Sequence, residues 1–122
     1  MKINERNLGM LEKFVAHCVK ELGLTGEINI KLLPSQQEGL PTAGSYDPTS
    51  DIVRVSVKNR AIADCLRTIA HELTHKRQRD EGTVFPEDDD GLQPLEDAAN
   101  VSSGKLVRFW GRSHPEIYSD LK

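Results

Sequence analysis

His71, Glu72 and His75, with Leu73 and Thr74 between them, spell an H-E-x-x-H pentapeptide. Two imidazoles four residues apart project from one face of a helix about one turn from each other, so both can ligate a single zinc ion. Glu72 then lies beside that ion. A carboxylate there can take the proton of a zinc-activated water and pass it to a leaving amine, the general-base role in metal-assisted peptide hydrolysis. The plain alternative makes His71 and His75 ordinary helix residues and Glu72 a surface charge, because three fixed positions also recur by chance. A third ligand and a suitable helix are what separate the two.

Two histidines leave a catalytic zinc one protein ligand short. Glu81 lies six residues after His75, where one class of zinc proteases places its third ligand, but that class needs glycine at position 78 and Gln78 stands there. Asp88, Asp89 and Asp90 form an acidic run that reads more simply as solvated surface. Glu96 is the preferred candidate. It heads the string Glu96-Asp97-Ala98-Ala99-Asn100 in the first turn of the next predicted helix, where Glu96, Ala99, Asn100 and Ser103 share a face. Small residues on that face allow two helices to approach closely. Asn100 can accept the free ring N–H of a ligating histidine and so fix its tautomer. The competing reading of Glu96 is a carboxylate near a helix N-terminus, favoured there by the macrodipole.

The elements that must position these residues follow from periodicity. Asn4 or Asn7 caps a first helix carrying Leu8, Leu11, Phe14, Val15, Cys18, Val19 and Leu22, ending at Gly23. Residues 27–33 alternate Ile28, Ile30 and Leu32 as a half-buried strand, which Pro34 ends. A polar loop at 35–42 leads to a short strand at 43–47, which pairs with 51–57 as a hairpin across Asp47-Pro48-Thr49-Ser50. Residues 60–79 form the helix of the pentapeptide, with Ile62, Leu66, Ile69, Ala70 and Leu73 as its apolar stripe and His71, Glu72 and His75 flanking it. Gly82 and Pro86 break that helix. After an acidic loop at 81–93, Pro94 opens a second helix at its first turn, which runs over 95–110 to Gly111. The basic cluster Lys76 to Arg79 suits the C-terminal end of the metal helix.

The chain has 122 residues, 37% hydrophobic and 29% charged, which is one domain with a modest core. A net charge of −3 gives no reason to expect nucleic acid or an anionic membrane as partner. The first residues carry no signal peptide, and no apolar run could span a bilayer, so a cytoplasmic monomer is expected. Cys18 and Cys65 read as small buried hydrophobes rather than as a disulfide or metal pair.

H-E-x-x-H on one helix followed by E-x-x-A-N on the next resembles the gluzincin class of zinc metallopeptidases, in minimal single-domain form. The stretch from Leu66 to Lys76 is also similar to small metallopeptidase-like proteins of tailed bacteriophages and bacteria. The resemblance implies an α+β, zincin-like fold over residues 1–122: an N-terminal helix, a short, mainly antiparallel three-stranded sheet, the H-E-x-x-H helix and a C-terminal helix bearing the third ligand. It implies zinc held by His71, His75 and Glu96, with Glu72 as base and a peptide or protein as substrate, inside a bacterial or phage-infected cell. Asn100 stands where many gluzincins carry an aspartate, so that part of the match is incomplete. The resemblance also implies a donor to the oxyanion. His114 and Tyr118, in the tail after the last helix, are the candidates, with Tyr46 behind them. His17 reads as a core or boundary histidine. For substrate, the 43–47 strand offers an edge along which an extended peptide could add. The alternative function is a non-catalytic zinc-binding protein that acts through a protein partner, or an enzyme kept latent by residues 112–122.

Overall fold

The computed structural model describes residues 1–34 and 43–119; the loop expected at 35–42 lies outside the described residues. Asn4 caps the first helix, α1 (Glu5–Leu22), by accepting the Asn7 N–H at 2.9 Å, and Gly23 ends it in the left-handed conformation at φ 66°. Leu11, Phe14, Cys18 and Leu22 of its stripe are buried, while Leu8 is exposed. Both cysteines are free and buried, as expected.

Strands β1 (Asn29–Leu33), β2 (Gly44–Asp47) and β3 (Ile52–Ser56) form one sheet in the order β1-β3-β2. The hairpin of β2 and β3 is antiparallel, with Tyr46 opposite Val53. β1 instead runs parallel to β3, with Ile30 beside Val53, so the sheet is mixed rather than mainly antiparallel. Alternating apolar residues show which face of a strand is buried, but not the direction in which its neighbour runs. The coarse class, α+β, is the one expected.

The central element is α2 (Ile62–Asp80), which packs against α1, β2, β3 and the last long helix, α3 (Asp89–Ser113). Ile62, Leu66, Ile69 and Leu73 are fully buried against Val53, Val55 and Val57, a burial that stabilises by roughly 1.5–3 kcal/mol per side chain. β2 approaches α2 closely. A Cβ added at Gly44 would stand 2.5 Å from Thr68 Cγ2 and 2.9 Å from the Arg54 carbonyl, so only glycine fits there.

The start of α3 differs from the expected one. Asp88 accepts the Gly91 N–H at 2.5 Å as N-cap, and Asp89 and Asp90 fill the first turn, so the acidic run opens the helix six residues before Pro94. Pro94 therefore lies inside α3. Gly111 does not stop the helix but admits the Tyr118 ring: a Cβ there would lie 2.6–2.9 Å from three of its atoms. A 3₁₀ turn, Pro115–Tyr118, follows. Among the described residues no helix is long and apolar enough to cross a membrane.

Candidate metal centre

His71 and His75 project from α2, and Glu96 meets them from α3. His75 Nε2 lies 3.2 Å from His71 Nε2, and the Glu96 carboxylate reaches both, at 2.9 Å from His75 and 3.0 Å from His71. Three ligands on a tetrahedral zinc at 2.0–2.1 Å stand about 3.4 Å apart, so this triangle is close to the size such an ion requires. Glu96 sits two turns into α3, which removes the macrodipole as the reason for its place. Three of the sequence-predicted residues are thus brought to one point.

The hydrogen bonds behind His75 settle its tautomer. Gln78 Nε2 donates to the Leu95 carbonyl at 3.1 Å, which leaves Gln78 Oε1 facing His75 Nδ1 at 2.8 Å. An amide oxygen only accepts, so Nδ1 carries a proton and Nε2 is the ring nitrogen turned toward Glu96. Nε2 and the Glu96 carboxylate face each other at 2.9 Å, a contact that a proton or a bound cation between them can bridge. Gln78 is 8% exposed and was read from the sequence only as a missing glycine. Its spacing of three residues after His75 was the available signal.

Asn100 is in hydrogen-bonding contact with His71, where a carbonyl oxygen can orient the ring. Burial, then the neighbouring His75, lowers the His71 pKa. Ala99 and Ser103 are fully buried between α2 and α3, and the Thr74 and Ser102 hydroxyls bond across the gap at 3.0 Å. The small-residue face does bring the helices together.

Glu72 is 8% exposed and lines the same cleft, with no hydrogen bond to any described residue. Burial, with a smaller contribution from Glu96, pushes its carboxyl up to about 8. A carboxylate with raised proton affinity and no hydrogen-bond partner among the described residues is suited to exchanging a proton with whatever occupies the cleft.

The other candidates are placed elsewhere. His114 stacks on Trp110 at 3.8 Å between ring centroids and donates from Nδ1 to the Trp110 carbonyl at 3.1 Å. Tyr118 is exposed and lies against Gly111. Neither lines the cleft: α3 continues past Glu96 for about 25 Å and carries them away from His71, His75 and Glu96. Tyr46 does line the cleft. Its hydroxyl donates to Asp51 at 2.7 Å, and burial together with that carboxylate raises its pKa.

Glu81 pairs with Arg77 at 2.8 Å on the surface, and Asp88 to Asp90 are engaged at the start of α3. Lys76 is not simply a cation at a helix end: it is 4% exposed and holds both Asp51 oxygens at 2.7 Å, tying the hairpin turn to α2. His17 is half-buried, and its ring lies parallel to Phe109 at 5.9 Å. Comparison with protein families, with curated proteins and with solved structures gives no match.

Proposed function

We propose that this protein is a zinc-dependent peptidase of gluzincin-like type, hydrolysing peptide bonds in the cleft between β2, α2 and α3. The observation that carries the reading is the convergence of His71 Nε2, His75 Nε2 and the Glu96 carboxylate within 3.2 Å, in a cleft that Glu72 also lines without a hydrogen bond to any described residue. A zinc ion held by those three side chains would polarise the scissile carbonyl and acidify water near neutral pH. Glu72 takes the proton of the attacking water and delivers it to the amine nitrogen as the C–N bond breaks, leaving a carboxylate and an amine. Among the described residues β2 is the outer strand of the sheet, and it lines the cleft, where an extended substrate can lie alongside it.

The test compares zinc-loaded wild type with Glu72→Gln on casein and a mixed peptide substrate. The variant is expected to keep one zinc per chain while its cleavage rate falls by about 10³-fold. Zinc-loaded wild type that cuts nothing would sink the reading. One observation favours the second reading, a zinc-binding interaction protein: the Tyr46 hydroxyl, the tyrosine donor at the cleft wall, is already given to Asp51. Bound zinc without turnover is the outcome that reading expects.

A further inference from the structure

The cleft, about 780 Å³ in volume, has chemically different ends. Beyond His75 its wall is apolar, made by Phe85, Pro86 and Leu92, with the Phe85 ring edge-on to His75 at 6.1 Å. Before His71 it is cationic. Arg67 stands one helical turn upstream of His71, and Arg60 lies just ahead of the start of α2; both line the cleft.

These two arginines differ from the others near the end of α2. Arg77 and Arg79 are paired with Glu81 and with Asp80 and Asp51. Arg60 is fastened by three acceptors, the Ser56 carbonyl at 2.6 Å, Thr68 Oγ1 at 2.7 Å and the Asp64 carbonyl at 3.1 Å, all uncharged. Its position is held and its charge is not cancelled by contact. Arg67 makes no hydrogen bond or ion pair with any described residue, and its guanidinium extends toward Gly104 of α3, whose added Cβ would lie 3.9 Å from Nη2. Asp64 lines the same end without an ion pair to either arginine, so the local balance stays positive. The ordinary reading of an exposed arginine is a solvated one. A guanidinium in the cleft wall with no acceptor bound among the described residues, beside a second that is held in place, is a carboxylate receptor with its donors unspent.

Resting on the peptidase reading, we infer that the cleft selects peptides carrying a carboxylate on the Arg67 side of the scissile bond and an apolar side chain on the Phe85 side. Arg67 and His75 are eight residues apart, about 12 Å along the helix, which an extended peptide covers in roughly four residues. Both ends therefore meet side chains within about two positions of the bond between the metal ligands. The carboxylate can come from an internal Asp or Glu or from the substrate's own C-terminus, since a guanidinium binds both alike.

Binding separates this inference from catalysis. Three fluorescein-labelled peptides with a central phenylalanine are titrated into zinc-loaded Glu72→Gln protein and followed by anisotropy. One has an internal Glu and an amidated end, one an internal Gln and an amidated end, and one an internal Gln and a free C-terminal carboxylate one residue later. At least one carboxylate peptide is expected to bind about tenfold more tightly than the neutral one, and which does so identifies the source. That advantage should vanish in Arg67→Gln, an exposed substitution, and return in part in Arg67→Lys. Phe85→Ser should weaken all three. Equal affinities, absence of binding, or an advantage that survives Arg67→Gln would overturn the inference. Hydrolysis by wild type is scored separately: discrimination without cleavage removes the peptidase reading and keeps this one, and cleavage without discrimination does the reverse.

Discussion

At the scale of single residues, the most consequential group is Glu72, because its burial makes a chemical tool and a stability cost together. Its pKa rises from 4.5 to about 8 in the folded chain, so between those values the folded protein holds a proton that the unfolded chain has released. Stability then falls as pH rises through the window, since the unfolded state binds fewer protons there. His71 has the opposite sign: its pKa is lowered, so its effect lies at and below its ordinary value near 6.5. The range from pH 6.5 to 8.5 therefore separates Glu72 from His71. Urea unfolding of chelator-treated wild type, followed through Trp110 fluorescence, should show a stability loss on the order of a few kcal/mol across that range. Glu72→Gln should be nearly flat. Parallel profiles for the two proteins would mean that Glu72 ionises freely in the fold.

At the scale of elements, the centre depends on how α2 and α3 are set against each other, and Gln78 is the link. Its amide bonds His75 on its own helix and the Leu95 carbonyl next to Glu96 on the other, so one side chain aims His75 and anchors the turn that brings Glu96 to it. Gln78→Ala should lower zinc affinity by about 10–100-fold in competition with a chromophoric chelator, while Gln78→Glu, which keeps the acceptor, should recover most of it. An affinity unchanged within about twofold would leave Gln78 a packing residue. This link also shows where the sequence was readable. The helix period placed His71, Glu72 and His75 on one face, and the small residues at Ala99 and Ser103 pointed correctly to a close approach bearing Glu96. The start of α3 was misread because Pro94 and Asp88 are both N-terminal signals, and the Asp88 cap outweighed an interior proline. The strand β1 alternates as expected, yet alternation is the same for parallel and antiparallel neighbours. Arg67, Phe85 and the positions of His114 and Tyr118 depend on which wall each element turns toward the cleft, and that is decided by packing between elements far apart in the chain.

At the scale of the whole molecule, a chain of 122 residues builds a small core, so an ion bridging two helices would count heavily in its stability. His71 and His75 belong to α2, which the sheet and α1 already hold, whereas Glu96 belongs to α3, whose large buried apolar residues Leu106, Val107 and Trp110 lie toward its other end, with only the small Ala99 buried near Glu96. Metal binding should therefore act as a staple at the end of α3 where the apolar core is thinnest. Free zinc at a thousand times its Kd would add about 4 kcal/mol. For a domain of this length that corresponds to a rise in Tm on the order of 15 °C, growing with the logarithm of the zinc concentration. Glu96→Ala should lose most of the rise in scanning calorimetry, because the two histidines alone cannot reach across to α3. Glu81→Ala should keep it, since Glu81 bonds only Arg77 among the described residues, on the surface. A shift that survives Glu96→Ala but disappears in Glu81→Ala would move the third ligand, and with it the whole centre, to the C-terminal end of α2.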